Sequence, residues 1–162
     1  EFLKAGYSIS SAYTVVKDPT IVNFSYRDNL WQGADLLATG IASFGHAGGV
    51  HYQNVAKMDQ YLEMIESGQL PLGRGYVPSD RQRLIREMIL LLKRGYIDAA
   101  YFRDKFDVEI TQLYADQWKA YQDEGYVEID GDSIRLTRAG LLRVDGLLQA
   151  FFEPEYQGVR YT

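Results

Sequence analysis

The sequence predicts an α+β chain in two halves, and two observations predict it. Nine of the fifteen glycines fall in the first 75 residues, among short β-branched and aromatic runs. From residue 76 onward the apolar residues recur at helical spacing, interrupted once by a hairpin signature. At 162 residues, 46% hydrophobic and 24% charged, the composition is that of a globular chain.

Taken in order, Phe2 to Ala5 reads as the end of a helix begun upstream and stopped by Gly6. Residues 7–16 have the texture of a strand, closed by Lys17-Asp18-Pro19. Residues 35–41 form a second short apolar run, bounded by Gly33 and by Gly45, Gly48 and Gly49. Such a run suits a strand buried on both faces, as in a parallel sheet. Two strands make no stable sheet alone, so these point to the tail of an α/β architecture whose remainder lies elsewhere. The absence of an initiator Met before Glu1 fits a fragment or a processed chain.

Residues 56–67 carry Met58, Tyr61, Leu62 and Ile65 at helical spacing, with Gly68 as the stop. Residues 70–75 then read as a loop, which places a domain boundary there. Ser79 and Gln82 have capping-box spacing at the head of a helix with the stripe Leu84, Ile85, Met88, Leu91 and Leu92. A short helix over 99–105 and a third over 110–123 follow, the latter burying Leu113, Trp118 and Tyr121 or their neighbours. Residues 126–129 and 133–136 flank Asp130-Gly131-Asp132, a hairpin turn. Thr137 can cap a last helix bearing Leu141, Leu142, Val144, Leu147, Leu148, Phe151 and Phe152, stopped by Pro154. This order of helices and hairpin resembles a winged-helix module.

Several kinds of chemistry are excluded or disfavoured. Cysteine is absent, which removes disulfides, thiolate ligands and a cysteine nucleophile from these residues. The longest apolar run, Met88 to Leu92, is far short of the ~20 residues that span a bilayer. No secretory signal is visible. His46 and His51 lack further ligands and read as structural, so no metal site is expected. Asp28 with Asp35, and Asp130 with Asp132, are not assigned to catalysis; Asp18 is a turn residue. Ser8, Ser10 and Ser11 have no visible His–Asp partners. A winged-helix reader of DNA needs a basic third helix. Between Glu109 and Glu124, Glu109, Asp116, Asp123 and Glu124 stand against Lys119, a net −3 in a chain of net charge −5. Arg81, Arg83 and Arg86 form an ordinary solvated edge, so nucleic acid is not expected as a partner.

The small residues of Gly40-Ile41-Ala42-Ser43-Phe44-Gly45 would let a ligand approach the backbone, although the segment is neither a P-loop nor GxGxxG. Gly6-Tyr7, Tyr13-Thr14, Asn29-Leu30-Trp31, Gly33-Ala34-Asp35, Gly40 to Phe44 and Tyr52-Gln53-Asn54 together resemble the end of a radical S-adenosylmethionine barrel. The pattern is similar to the oxygen-independent coproporphyrinogen III oxidase family. Leu92 to Gly95, Leu136 to Leu142 and Phe151-Phe152 resemble that family's carboxy-terminal domain.

The resemblance implies the terminal strands of an incomplete α/β radical-SAM-type barrel over 1–54, a connecting helix and linker over 55–75, and a winged-helix-like domain over 76–162. It implies a cytoplasmic parent oxidoreductase that acts on a tetrapyrrole with S-adenosylmethionine and a [4Fe–4S] cluster. This chain lacks the cluster cysteines and is expected to be inactive alone. A haem-utilising relative is the alternative: a haem-degrading methyltransferase or a haem-binding or trafficking protein. The resemblance further implies that Gly40, Ala42, Ser43 and Phe44 lie beside S-adenosylmethionine, with Phe44 against the adenine. The expected partners are the upstream barrel half, the tetrapyrrole and, through exposed strand edges, a second copy.

Overall fold

A computed structural model describes residues 1–158 of the chain. Ser25–Arg83 forms one compact unit; residues 1–24 with 84–158 form the other. The boundary lies inside the helix that follows the expected linker rather than in the linker.

The first segment begins as expected and then departs from expectation. Residues 2–6 make a turn in which the Ala5 N–H donates to the Glu1 carbonyl, and Gly6 takes φ +82°. Residues 7–16 are not one strand but an antiparallel hairpin, β1 (Ser8–Ser11) and β2 (Thr14–Val16). The reason is local: the Ser11 hydroxyl accepts the Tyr13 N–H at 3.3 Å and closes the chain on itself. The hairpin docks on its own unit. The Ala12 N–H donates to the Lys93 carbonyl at 2.7 Å, and the Tyr13 hydroxyl donates to Asp145 Oδ1 at 2.5 Å. Burial, helped by the Asp145 carboxylate, holds the Tyr13 phenol well above its ordinary range.

In the unit Ser25–Arg83, helix α1 (Ser25–Trp31) precedes a three-stranded antiparallel sheet. Its order is β3 (Phe44–Ala47), β4 (Val50–Asn54), then β5 (Leu72–Tyr76). Helix α2 (Met58–Glu66) links β4 to β5. Two expectations are corrected here. Residues 35–41 form no strand: Leu36 makes a single antiparallel bridge with His46, and Leu37 stands 76% exposed. The run cannot be extended because Gly40 (φ +92°) turns the chain within it and Ala42 (φ +55°) directly after it. No parallel pair occurs among the described strands. Residues 70–75, expected as a loop, contribute β5, which two glycines disguised in the sequence. Gly73 is needed there because a Cβ would crowd the Val55 backbone at 3.1 Å. The apolar stripe of α2 is as expected in spacing, yet Met58, Leu62 and Ile65 face solvent.

The second unit follows its sequence closely. Helix α3 (Asp80–Leu92) begins with a reciprocal capping box. The Gln82 N–H donates to Ser79 Oγ at 3.2 Å, and the Ser79 N–H to Gln82 Oε1 at 3.0 Å. Then come β6 (Tyr96–Asp98), α4 (Ala99–Phe106), α5 (Ile110–Leu113) and α6 (Ala115–Asp123). The hairpin β7 (Val127–Asp130) and β8 (Ser133–Leu136) completes a three-stranded sheet in the order β6-β8-β7. The three-residue β6 was not legible, because only its pairing with β8 makes it a strand. The expected third helix is broken at Tyr114, leaving Leu113 exposed while the Trp118 indole N–H donates to the Ile110 carbonyl at 2.9 Å.

The expected last helix is also broken, into α7 (Arg138–Leu141), α8 (Val144–Leu147) and a 3-10 turn (Leu148–Phe151). Thr137 caps α7 as its spacing predicts, accepting the Gly140 N–H at 3.1 Å. Gly140 can be nothing larger, since a Cβ would overlap the Tyr126 carbonyl oxygen. Leu142, counted on the apolar stripe, lies 68% exposed once the helix breaks. The core gathers Met88, Leu92, Ile97, Phe102, Ile110, Ile134 and Phe151 from α3, β6, α4, α5, β8 and the 3-10 turn. At its edge the buried Glu87 carboxylate is neutralised and hydrogen-bonded. Lys105 Nζ reaches its oxygens at 2.8 and 2.9 Å, and the Tyr101 hydroxyl donates at 2.6 Å.

Candidate functional site

The sheet β3-β4-β5 places side chains by rows. Phe44, Gln53 and Arg74 are directly paired across the three strands, and so are His46, His51 and Tyr76 two residues along. Because side chains alternate from face to face, these two rows share one face of the sheet. The row between them is Gly45, Tyr52 and Gly75, on the other face. There the Tyr52 ring crosses Gly45 so closely that a Cβ at that position would overlap it.

The turn that leads into β3 is the segment singled out by its small residues, and the residues that hold it come from β4 and α2. The Tyr52 hydroxyl accepts the Ala38 N–H at 2.9 Å. Gln53 Nε2 donates to the Ala42 carbonyl at 2.9 Å, and Asn54 Nδ2 to the Gly40 carbonyl at 2.9 Å. The Tyr61 hydroxyl accepts the Gly40 N–H at 3.2 Å. Asn54 is buried, so its amide is committed to this task. Ser43 Oγ donates back to the Thr39 carbonyl at 2.7 Å, and the Ala42 N–H donates to the Val55 carbonyl at 3.0 Å. Ala42 is one of two non-glycine residues among those described with positive φ, a conformation that costs ~1–2 kcal/mol and survives only where the surroundings impose it.

Gly40, Ala42 and Ser43 thus form a rigid, half-buried turn, and Phe44 emerges from it 66% exposed. Phe44 does not pack into a core. Its ring borders a concavity of about 240 Å³ lined also by His51, Tyr52, Gln53, Arg74 and Tyr76. The His46 and His51 rings lie 4.3 Å apart as a cross-strand pair, with His46 buried. No group of three or more His, Cys, Asp or Glu side chains that could hold a metal ion occurs among the described residues. Asp35 accepts the Gly48 N–H at 3.2 Å, and Asp28 pairs with Arg27 at 2.8 Å. Asp18 takes the Thr20 hydroxyl and N–H, which lowers its pKa, as befits a turn residue. No helix among the described residues is long and apolar enough to cross a membrane.

Tyr52, Gln53, Asn54, Tyr61 and Arg74 were not predicted as site residues. A signal existed for three of them: Tyr52-Gln53-Asn54 is a polar run closing a strand, and its side chains needed partners somewhere. Nothing in the sequence marked Arg74, whose place depends on β5.

By its elements the chain is a mixed helix-and-sheet protein built of small antiparallel sheets, and it is similar to proteins of known class. Residues 79–143 match the family described as HemN C-terminal domain. Curated relatives include oxygen-independent coproporphyrinogen III oxidases of Helicobacter pylori, 23% identical over 119 residues, and of Pseudomonas aeruginosa, 23% identical over 124 residues. These alignments cover 71% and 72% of this chain, but 26% of each relative. The Escherichia coli enzyme of the same name is 22% identical over 136 residues, 81% of this chain and 30% of its own length. A solved structure described as coproporphyrinogen III oxidase (HemN) from Escherichia coli, a radical SAM enzyme, superposes with a TM-score of 0.72 at 20% identity. It covers 93% of this chain and 38% of that one. The chain therefore spans about a quarter to a third of the curated relatives it matches. It is similar to the carboxy-terminal part of proteins of the oxygen-independent coproporphyrinogen III oxidase family, as the residue pattern had indicated.

Proposed function

We propose that this chain is the carboxy-terminal part of a cytoplasmic radical S-adenosylmethionine oxidoreductase acting on a tetrapyrrole, and that Gly40, Ala42, Ser43 and Phe44 border the S-adenosylmethionine site. One observation carries the reading: a small-residue turn, over-determined by four side chains from behind, presents an exposed aromatic ring at its end. A turn that only reversed the chain would not need that support, and a core phenylalanine would be buried. Rigid support behind a contact surface is what ligand binding rewards.

Bound there, S-adenosylmethionine would supply the radical chemistry. The residues of this chain would bind and orient it, the Phe44 ring offering apolar area and the turn allowing close backbone approach. The cluster does not fit these residues, because the chain has no cysteine. Its ligands would belong to the upstream part of the parent. The same upstream part is the partner we assign to the apolar residues that α2 and its loop leave exposed, Met58, Leu62, Ile65 and Leu70. They would complete the barrel, of which residues 1–54 are the closing part. A second copy could cover the same surface in the isolated chain.

For residues 76–162 we propose a winged-helix-like accessory domain. The order helix, strand, three helices, hairpin from α3 to β8, with sheet order β6-β8-β7, supports it. The acidic α6 argues against nucleic acid as its ligand, since Lys119 is itself engaged by Asp123 at 2.8 Å. Haem use, by a methyltransferase or trafficking relative, is the alternative to coproporphyrinogen oxidation.

In the full-length protein, Phe44→Ala should weaken S-adenosylmethionine binding by ~1–3 kcal/mol, about ten- to a hundredfold, with iron content unchanged. An unchanged dissociation constant with a lowered melting temperature would assign Phe44 to packing and refute the reading.

A further inference from the structure

The concavity beside Phe44 has a chemistry of its own. Its aromatic walls are Phe44 and Tyr76, 66% and 51% exposed. Its one always-charged group is Arg74, paired across the sheet with Gln53. Arg74 Nε donates to Gln53 Oε1 at 2.7 Å, while Gln53 Nε2 donates to the Ala42 carbonyl at 2.9 Å. One glutamine thus fixes both the turn and the guanidinium. Tyr76 is held as well, its hydroxyl donating to Gln82 Oε1 at 2.6 Å. No carboxylate lines the concavity, and none among the described residues pairs with Arg74. That is notable in a chain with 22 acidic residues against 17 basic ones. The guanidinium keeps its four terminal N–H donors for a ligand, in the planar fork that matches a carboxylate.

We infer that Arg74 anchors the carboxylate of a ligand whose ring lies between Phe44 and Tyr76. Ring faces supply the apolar contact and cation–π support, and the oriented guanidinium supplies the charge. Two sources fit that chemistry: the propionate side chains of a tetrapyrrole, or the amino-acid end of S-adenosylmethionine. The inference rests on the tetrapyrrole and S-adenosylmethionine reading for the choice of ligand, and on the groove itself for the role of Arg74.

The test is a binding titration on the full 162-residue chain, wild type against Arg74→Gln, with circular dichroism to verify that the variant is folded. The probes are coproporphyrin, its tetramethyl ester, S-adenosylmethionine and the non-porphyrin aromatic carboxylate pyrenebutyrate. Wild type should bind coproporphyrin about tenfold more tightly than Arg74→Gln does, with the ester no tighter than the acid on the variant. Loss confined to S-adenosylmethionine would assign the carboxylate to the cofactor. Pyrenebutyrate binding that depends on Arg74, without porphyrin binding, would uphold the anchor and count against the tetrapyrrole. Equal porphyrin affinity in both proteins, with no loss for the other carboxylates, would overturn the anchor and leave the tetrapyrrole reading standing. Failure of every aromatic carboxylate to bind at millimolar concentration would overturn the site.

Discussion

The unit Ser25–Arg83 and the helical unit from Leu84 onward solve the burial problem differently. In the helical unit large side chains from α3, α4, α6 and the final 3-10 turn meet in one core, with Phe151 packed against Tyr114, Trp118 and Tyr121. In Ser25–Arg83 the buried apolar side chains among the described residues are only the small ones of Val55, Pro71 and Pro78. That region is organised by polar contacts: tyrosine, glutamine and asparagine side chains that tie down a turn. The difference separates two jobs. A core of interlocking apolar groups makes a unit that stands by itself, whereas a hydrogen-bonded frame with exposed apolar residues makes a surface that awaits a neighbour or a ligand.

The strongest test of that contrast is truncation of a buried ring. Phe102→Ala should destabilise the helical unit by about 3–5 kcal/mol in urea unfolding, while Leu62→Ala in α2 should stay within about 0.5 kcal/mol. Comparable losses would mean that α2 is structurally committed in the isolated chain. Overpacking probes the two close approaches next. Gly140→Ala, against the Tyr126 carbonyl, and Gly45→Ala, against the Tyr52 ring, should each cost about 1–3 kcal/mol. They should differ in where the damage falls. Hydrogen exchange should rise around β7 and α7 in the first, and at Ala38 through Phe44 in the second.

A smaller effect is expected at the α7 cap. Thr137→Ala removes an acceptor for the Gly140 N–H and a donor to the Gly125 carbonyl, and should cost ~1 kcal/mol in thermal unfolding. The smallest effect concerns acid. Arg103 donates to Asp132 at 2.6 Å and to Glu109 at 2.7 Å. The Arg103 bond holds the Asp132 carboxyl below its usual range, and the Thr111 hydroxyl and then Arg103 do the same for Glu109. Folded pKa values lowered in this way give stability that is present above the unfolded values and lost as pH falls through the folded ones. Both carboxyls are solvent-exposed, so the contribution is small and salt-sensitive. Unfolding midpoints followed from neutral pH into acid should fall less steeply in Arg103→Gln than in wild type. Identical slopes would show that the network contributes nothing to the acid transition.

How far each region could be read in advance tracks the same contrast. The capping box at Ser79 and Gln82, the turn at Asp130 to Asp132 and the cap at Thr137 are short-range devices, and each is found where its spacing placed it. The single long helices expected over 110–123 and after Thr137 were wrong in continuity. Tyr114 and Arg143 leave the helical path so that Trp118, Val144 and Phe151 can reach the core. In the other unit, the strand expected over 35–41 failed because an apolar run specifies no partner, and its neighbours permitted only one bridge. The turn Gly40 to Phe44 was legible as a place where small residues gather. Its supports were not, because a side chain's partner at ten or more residues' distance leaves no periodicity.

By itself the sequence determined the α+β class, the capped helices and hairpin of the later half, the lack of cluster ligands and the family resemblance, since these rest on residue type and local spacing. Only the tertiary structure decided that residues 7–16 fold back as a hairpin, that residues 72–76 are a strand, and that Phe44, Gln53 and Arg74 stand in one row. Strand pairing is a choice among non-local partners, settled by the register in which backbone donors and acceptors meet. That register joined a turn, an amide and a guanidinium that lie up to thirty residues apart in the chain.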